Sequence, residues 1–346
     1  MNGATVVVAS ATGCLLTAGA TPVLGRLALR WGFTDRPGGY KAHDRPIPYL
    51  GGVAVMLGTI IPSAVVLGLT DLRTTSIMIA SMAVALLGLV DDLSSLSPFT
   101  RLAVEAVAAG GVVLGGVQAP LTGSWLDAPF TVLWIVVITN SFNLLDNMDG
   151  ALGAIATVSA AFLAGTAFVH AHPATGLVLL TLALSSLGFL VHNWAPAKIF
   201  MGDTGSLFIG FVLACSAALL MTGRSTGTMV AGLLLPTFIA TVDTGVVFLS
   251  RKRAGRPLLQ GGNDHISHRL RRLGLSTRLT VLTLAAVAAA SGALGLMMAL
   301  GWVSPILATI AAIGMALMLI GLPQKVHVYP SGRSQAHATN IREGRR

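Results

Sequence analysis

The chain has 346 residues, of which 54% are hydrophobic and only 10% charged. A soluble domain carries about a quarter charged residues, so water is excluded as its main solvent, and the unit of reading becomes the membrane span of about 20 apolar residues. The net charge of +9 would suggest a nucleic-acid ligand in a soluble protein, but its placement along this chain gives it another meaning, and no nucleic-acid partner is expected.

Apolar windows follow one another at about 4–29, 51–69, 74–90, 102–118, 129–145, 151–170, 174–191, 205–221, 228–249, 279–301 and 302–322. They predict an all-α, polytopic membrane protein of eleven spans, or ten if two of the short, Gly-rich windows count as one. No window shows the strict period-two alternation of a membrane barrel. The first window opens Met1-Asn2-Gly3-Ala4 without a charged leader, so it reads as a retained helix rather than a cleaved signal. Residues 1–322 read as one transmembrane domain and 323–346 as a polar, disordered tail. Cys14 and Cys215 both lie in apolar windows and offer neither a metal spacing nor a disulfide framework.

Placing the N-terminus outside and alternating puts the inner segments at about 30–50, 91–101, 146–150, 192–204 and 250–278, plus the tail. Of the 22 Lys and Arg, 20 then lie in or beside inner segments, and only Arg73 and Arg224 lie outside. This positive-inside bias orients the chain with its polar loops in the cytoplasm. The acids share the asymmetry, and topology does not explain that. Asp35, Asp44, Asp91, Asp92, Asp146, Asp149, Asp203 and Asp264 fall in inner loops or at inner helix ends, and Asp243 lies within the ninth window. Carboxylates at membrane depth are costly and mark candidate functional sites.

Five inner segments carry the chemistry. Asp35 to Pro46 mixes Lys41, His43 and Arg45 with two aspartates among prolines and glycines. Its cations could meet a pyrophosphate. Asp91-Asp92 pairs two carboxylates, which repel and call for a cation or a raised pKa. In Asn140-Ser141-Phe142-Asn143-Leu144-Leu145-Asp146-Asn147-Met148-Asp149-Gly150 the polar residues recur every three to four positions, on one helical face. Such oxygen donors suit a hard cation like Mg²⁺. Phe200-Met201-Gly202-Asp203-Thr204-Gly205 places an aspartate at a helix start, where backbone amides can also hold phosphate. Asn263-Asp264-His265-Ile266-Ser267-His268-Arg269 offers a phosphate or sugar grip; it lacks a third ligand at a zinc spacing.

These five segments, in this order and on one side, resemble the polyprenyl-phosphate N-acetylhexosamine-1-phosphate transferase superfamily, glycosyltransferase family 4. The resemblance runs from about Asp35 to Leu270. It implies Mg²⁺, for which Mn²⁺ can substitute, with Asn143 and Asp203 as its ligands. Asp91 and Asp92 resemble the family's paired aspartates near metal and lipid phosphate, and Asp146 stands beside the catalytic centre. Asp149 and Phe200 would face the uracil, with Lys41 near nucleotide or phosphates. His265, His268 and Arg269, with His43 and Arg45, would meet the sugar phosphate. Asp243 matches a family aspartate without an assigned role. The implied reaction moves N-acetylhexosamine-1-phosphate, GlcNAc-1-phosphate above all, from a UDP-sugar to polyprenyl phosphate and releases UMP. The implied setting is the first membrane step of a bacterial cell-envelope polysaccharide, at the plasma membrane, by a homodimer.

The last loop departs from the peptidoglycan branch, which carries three successive histidines, and this argues against a muramoyl-pentapeptide donor. It also departs from the His-x-His-His of the GlcNAc branch. A transporter is the rival of another class, but the acids cluster at one surface rather than at the midplane. A CDP-alcohol phosphatidyltransferase would need an Arg after Asp149-Gly150-Ala151-Leu152-Gly153-Ala154, and none follows.

Overall fold

The computed structural model describes residues 1–35, 46–68, 70–257 and 262–324. Among these, everything regular is helical except a two-residue strand pair. The elements run α1 (Gly3–Trp31), β1 (Thr34–Asp35), β2 (Ile47–Pro48), α2 (Gly51–Leu67), α3 (Leu72–Ser94), α4 (Pro98–Leu114), α5 (Asp127–Leu145), α6 (Ala151–Val169), α7 (Pro173–Asn193) and α8 (Gly202–Met221). They continue as α9 (Thr226–Leu234), α10 (Phe238–Arg253), α11 (Ile266–Arg272), α12 (Thr277–Ala299) and α13 (Pro305–Gln324).

Local sequence sets the helix ends. Asn2, Ser97 and Ser276 accept hydrogen bonds from the amides of Ala4, Thr100 and Leu279, satisfying donors that a helix start leaves bare. Gly32 closes α1 in the left-handed conformation. Pro236 falls between α9 and α10, which meet at 77°, as expected where proline removes a helical hydrogen bond.

Among the described residues, seven helices are long and apolar enough to cross a membrane: α1, α3, α5, α6, α7, α8 and α12. The bent pair α9–α10 makes eight if it counts as one span; α2 and α13 are apolar but shorter. The expected count of eleven is therefore coarser in the structure, although every window overlaps a helix. The window at 102–118 became the 17-residue α4, which carries Arg101 and Glu105. Many large side chains face outward, among them Leu114, Phe99 and Val65, as a lipid solvent requires. Trp31, Trp125 and Trp302 are exposed at helix ends, where amphipathic rings sit at membrane interfaces.

The centre of the bundle is α8. Every residue from Thr204 to Met221 is buried, and α2, α3, α5 and α9 pack around it. Close approach depends on glycine. A Cβ on Gly52 would fall 2.1 Å from the amide nitrogen of Gly205, and one on Gly205 would fall 2.5 Å from the Gly52 Cα. Small residues let membrane helices pack on dispersion alone, since lipid gives no hydrophobic drive between them. This contact sits one turn from Asp203, so packing fixes the site. Gly52→Ala should force α2 off α8 and cost about 1–3 kcal/mol, read as a lower melting temperature in detergent.

Candidate active site

Four helices end together. Asp91 and Asp92 lie in the last turn of α3, Arg101 in the first turn of α4, Asn143 in the last turn of α5 and Asp203 in the first turn of α8. Arg101 ties them. One terminal nitrogen of its guanidinium donates to Asp91 Oδ2 at 2.6 Å and to Asp203 Oδ2 at 2.9 Å, and the other donates to Asn143 Oδ1 at 3.2 Å. Asn143 donates in turn to Asp203 Oδ1 (2.8 Å) and Ser206 Oγ (2.9 Å). The planar guanidinium presents its donors to these acceptors in a fixed fork, whereas a lysine ammonium is a compact point charge on a flexible stem.

Asp92 has a different task. Its carboxylate accepts from the amides of Asp203 (2.9 Å) and Thr204 (3.1 Å) and from the Thr204 hydroxyl (2.8 Å). It therefore caps α8 from across the bundle, where the positive end of the helix dipole favours an anion. Gly202 makes room for it: φ is +72°, and a Cβ there would lie 2.7 Å from Asp92 Oδ2. The amides read from sequence as a phosphate cradle are thus already in part engaged.

Asp146 follows the end of α5 and is half-buried. Loss of surrounding water, and then repulsion from Asp203, Asp92 and Asp149, pushes its carboxyl up to about 7. Asp149 Oδ2 accepts from the amide of Ala197 at 2.9 Å, and Asn193 bridges the Gly150 amide (2.9 Å) to the Ile199 carbonyl (2.8 Å). Phe200 exchanges backbone bonds with Pro48 and Gly51. Asp149 and Phe200 therefore belong to one braced frame beside the aspartates. β1 and β2 pair antiparallel at the flanks of the first inner loop. Lys41, His43 and Arg45 lie outside the described residues.

The last inner loop is docked rather than loose. Asp243, on α10, meets the His265 Nδ1 at 2.7 Å and accepts from the Ile266 amide at 2.7 Å. It thereby fixes the His265 ring and caps α11. The rings of His265 and His268 stand edge to face, 6.0 Å apart. His268 is held below the usual histidine range, first by burial and then by His265. Ser267 donates to Asn147 Oδ1 at 2.5 Å, joining this loop to the asparagine-rich segment. Arg269 is buried, donating to the Asp264 carbonyl (3.0 Å) and to Ser250 Oγ (2.8 Å). Arg251 and Asp264 pair beneath it at 3.2 Å. The structure thus places Arg269 in the scaffold of the loop.

The donor set has the chemistry of a hard-cation site. Among the described residues Asp91 and Asp203 meet one guanidinium, and burial first, then repulsion from Asp203, Asp92 and Asp149, raises the Asp146 carboxyl. The groups nearest the centre are carboxylate and amide oxygens, the ligands Mg²⁺ takes. Among the described residues no three Asp, Glu, His or Cys stand together at ligating distances, which agrees with Mg²⁺ binding through one or two carboxylates with water and phosphate completing the shell. The Asp203 side chain, 32% exposed, is open for this. The residues fit.

The sequence profile of glycosyl transferase family 4 matches residues 74–221. A Streptomyces coelicolor chain named as a glycosyltransferase is 37% identical over 326 residues, covering 92% of this chain and 76% of its own. A Bacillus subtilis chain named as an undecaprenyl-phosphate N-acetylglucosaminyl 1-phosphate transferase is 32% identical over 297 residues, covering 81% of each. The chain belongs to glycosyl transferase family 4. A Mycolicibacterium smegmatis decaprenyl-phosphate N-acetylglucosaminephosphotransferase is 29% identical over 312 residues, covering 78% of this chain and 76% of that one.

Two residues of this family 4 site escaped the sequence reading. Arg101 looked like one more positive-inside charge. Glu105, one turn further along α4, is fully buried; it accepts a hydrogen bond from Asn140, and its Oε1 has no partner among the described residues. A carboxylate inside an apolar window was the signal available for it.

Two predictions follow from this geometry. A carboxyl raised to about 7 when folded, against about 3.9 when unfolded, binds its proton more tightly in the folded state. Its cost is absent at low pH and grows as pH rises toward 7. In divalent-free buffer, wild-type melting temperature should therefore fall relative to Asp146→Asn between about pH 4 and pH 7; parallel curves would remove Asp146 from this role. Asp243→Ala strands the buried Ile266 amide and the His265 ring and should cost about 2–4 kcal/mol in denaturant unfolding, while Asp243→Asn, which keeps an acceptor, should cost less.

Proposed function

We propose that this protein transfers N-acetylhexosamine-1-phosphate, GlcNAc-1-phosphate in the first instance, from a UDP-sugar to polyprenyl phosphate in a bacterial plasma membrane. The observation that carries this reading is the meeting of Asp91, Asn143 and Asp203 on one guanidinium at one end of an apolar bundle, with Asp92 capping the Asp203 helix and Asp146 close by. The names of the Bacillus and Mycolicibacterium relatives support GlcNAc as the sugar. The departure of His265-Ile266-Ser267-His268 from three successive histidines weighs against a muramoyl-pentapeptide donor. With 20 of 22 Lys and Arg in or beside the sequence segments read as inner, the N-terminus is outside, the eleven windows cross, and the site faces the cytoplasm.

In the reaction, an oxygen of the lipid phosphate attacks the donor phosphorus that carries the sugar. The phosphoanhydride bond breaks and its bridging oxygen leaves with UMP. Both reactants are anions, so alignment and charge neutralisation dominate catalysis. Asp203 and Asn143 would hold Mg²⁺, which would supply electrostatic stabilisation of the pyrophosphate. Arg101 keeps those ligands in place and offers its guanidinium to phosphate oxygens. Asp91 is placed to receive the last proton of the lipid phosphate; that proton has a pKa near 6 and needs little help at neutral pH. Asp149 and Phe200 frame the uracil, and Lys41 reaches the phosphates from the first loop. His265 and His268, with His43 and Arg45, meet the sugar phosphate from a loop that Asp243 and Arg269 hold rigid. Residues 1–322 act as one transferase domain, working as a homodimer.

The test is UMP release by purified protein with undecaprenyl phosphate, Mg²⁺ and, separately, UDP-GlcNAc, UDP-GalNAc and UDP-MurNAc-pentapeptide. UMP dependent on both lipid and Mg²⁺ is expected from UDP-GlcNAc, and Asp203→Ala should lower it by at least a thousandfold. Metal-dependent turnover retained in that variant would sink the ligand assignment. Flux of a solute into vesicles without a lipid acceptor would favour a carrier instead.

A further inference from the structure

The two basic residues that break the positive-inside pattern come to the same place. Arg73 stands at the start of α3 and Arg224 in the turn after α8. The turns of α3 between Arg73 and Asp91 put this end about 27 Å from the paired aspartates, at the opposite membrane face. Here a cavity of about 450 Å³ opens between the ends of α3, α4, α7 and α8, lined by Asp71, Leu72, Arg73, Gly116 and His172 among others. Arg73 lies across Gly116, whose φ is +92° and whose missing Cβ would fall 3.3 Å from the Arg73 Nε. The glycine leaves space for the guanidinium.

The charge at this end is unbalanced. Asp71 is the one carboxylate on the cavity, and its Oδ2 accepts from Thr74 Oγ1 at 2.5 Å. The other acid of this face, Asp127, spends its oxygens on Thr122 and Gly123. Among the described residues neither Arg73 nor Arg224 has an ion-pair partner. Burial holds His170 and His172 below the usual histidine range, and the nearby Arg224 lowers both further. Arg73 and the imidazole of His172 thus meet Asp71 on the cavity wall, and Arg224 stands near enough to act on His172. The rim is apolar and outward-facing: Leu72 is 72% exposed, and Leu114, beside the lining glycines, is 90% exposed. A soluble anion needs no such rim, whereas an amphiphile uses both parts.

We propose that this cavity binds the headgroup phosphate of an anionic glycerophospholipid, in the leaflet opposite the aspartate cluster. Arg73 and Arg224 supply charge-assisted hydrogen bonds to the phosphate oxygens, His172 adds a neutral donor, and the acyl chains lie along Leu72 and Leu114. The site is separate from the transferase reading and stands or falls without it.

The test uses the full chain in phosphatidylcholine nanodiscs titrated with phosphatidylglycerol, with bound lipid counted by native mass spectrometry and melting temperature read in parallel. Wild type should retain phosphatidylglycerol in preference to phosphatidylcholine. Arg73→Gln combined with Arg224→Gln should weaken that preference roughly thirtyfold, at about 1 kcal/mol for each basic residue near a lipid surface. Asp71→Asn, which removes the competing charge, should strengthen it. Gel filtration shows that each variant is folded. An unchanged preference in the double variant overturns the site. If millimolar inorganic phosphate raises the wild-type melting temperature as much as phosphatidylglycerol does, the ligand is a free anion and the lipid assignment falls.

Discussion

A cluster of carboxylates at the end of an apolar bundle is unstable unless positive charge meets it, and in this chain the guanidinium of Arg101 does so. It binds Asp91, Asp203 and Asn143 within 3.2 Å, and so couples α3, α4, α5 and α8 through one side chain. The other devices of the site serve the same electrostatic end. Asp92 spends its charge on the amides that open α8. Glu105 and Asn140 pin α4 to α5 one turn deeper.

Much of this was legible in the sequence, for a physical reason. In a chain that is 54% hydrophobic, each polar residue inside a span is costly, so Asn143, Asp203 and Asp243 announce themselves. The helices are legible too, because about 20 apolar residues have few alternatives in lipid. Arg101 is not legible, because a basic residue at an inner helix end has a sufficient topogenic explanation. Nor is the role of Asp92, since its partners lie 111 and 112 residues away and no local pattern encodes that pairing. The loop of His265 shows the same division. Its chemistry reads from residue types, but the assignment of Arg269 to scaffold and His265 to presentation depends on Asp243 and Ser250, which belong to another helix.

Rigidity is distributed in keeping with this. The two inner segments after α7 and α10 are braced by side chains to backbone, through Asn193, Asp149, Asp243 and Arg269. Phosphoryl transfer between two anions gains mostly from alignment, and a braced frame around a charged centre meets that need without a strong acid or base.

The burial of α8 from Thr204 onward carries a consequence for biogenesis. Its sequence is as apolar as that of α12, both with mean hydropathy 2.0, yet from Thr204 to Met221 it is enclosed by neighbouring helices. The bilayer therefore meets this helix only while the protein is being made. Its hydrophobicity serves insertion, whereas its glycines at 205 and 210 serve the later exchange of lipid for protein. The helix that carries Asp203 reaches its final surroundings only after α9, which follows it in synthesis, has closed over it. A chain arrested after α8 would hold the aspartate segments of α3, α5 and α8 without the loop of His265.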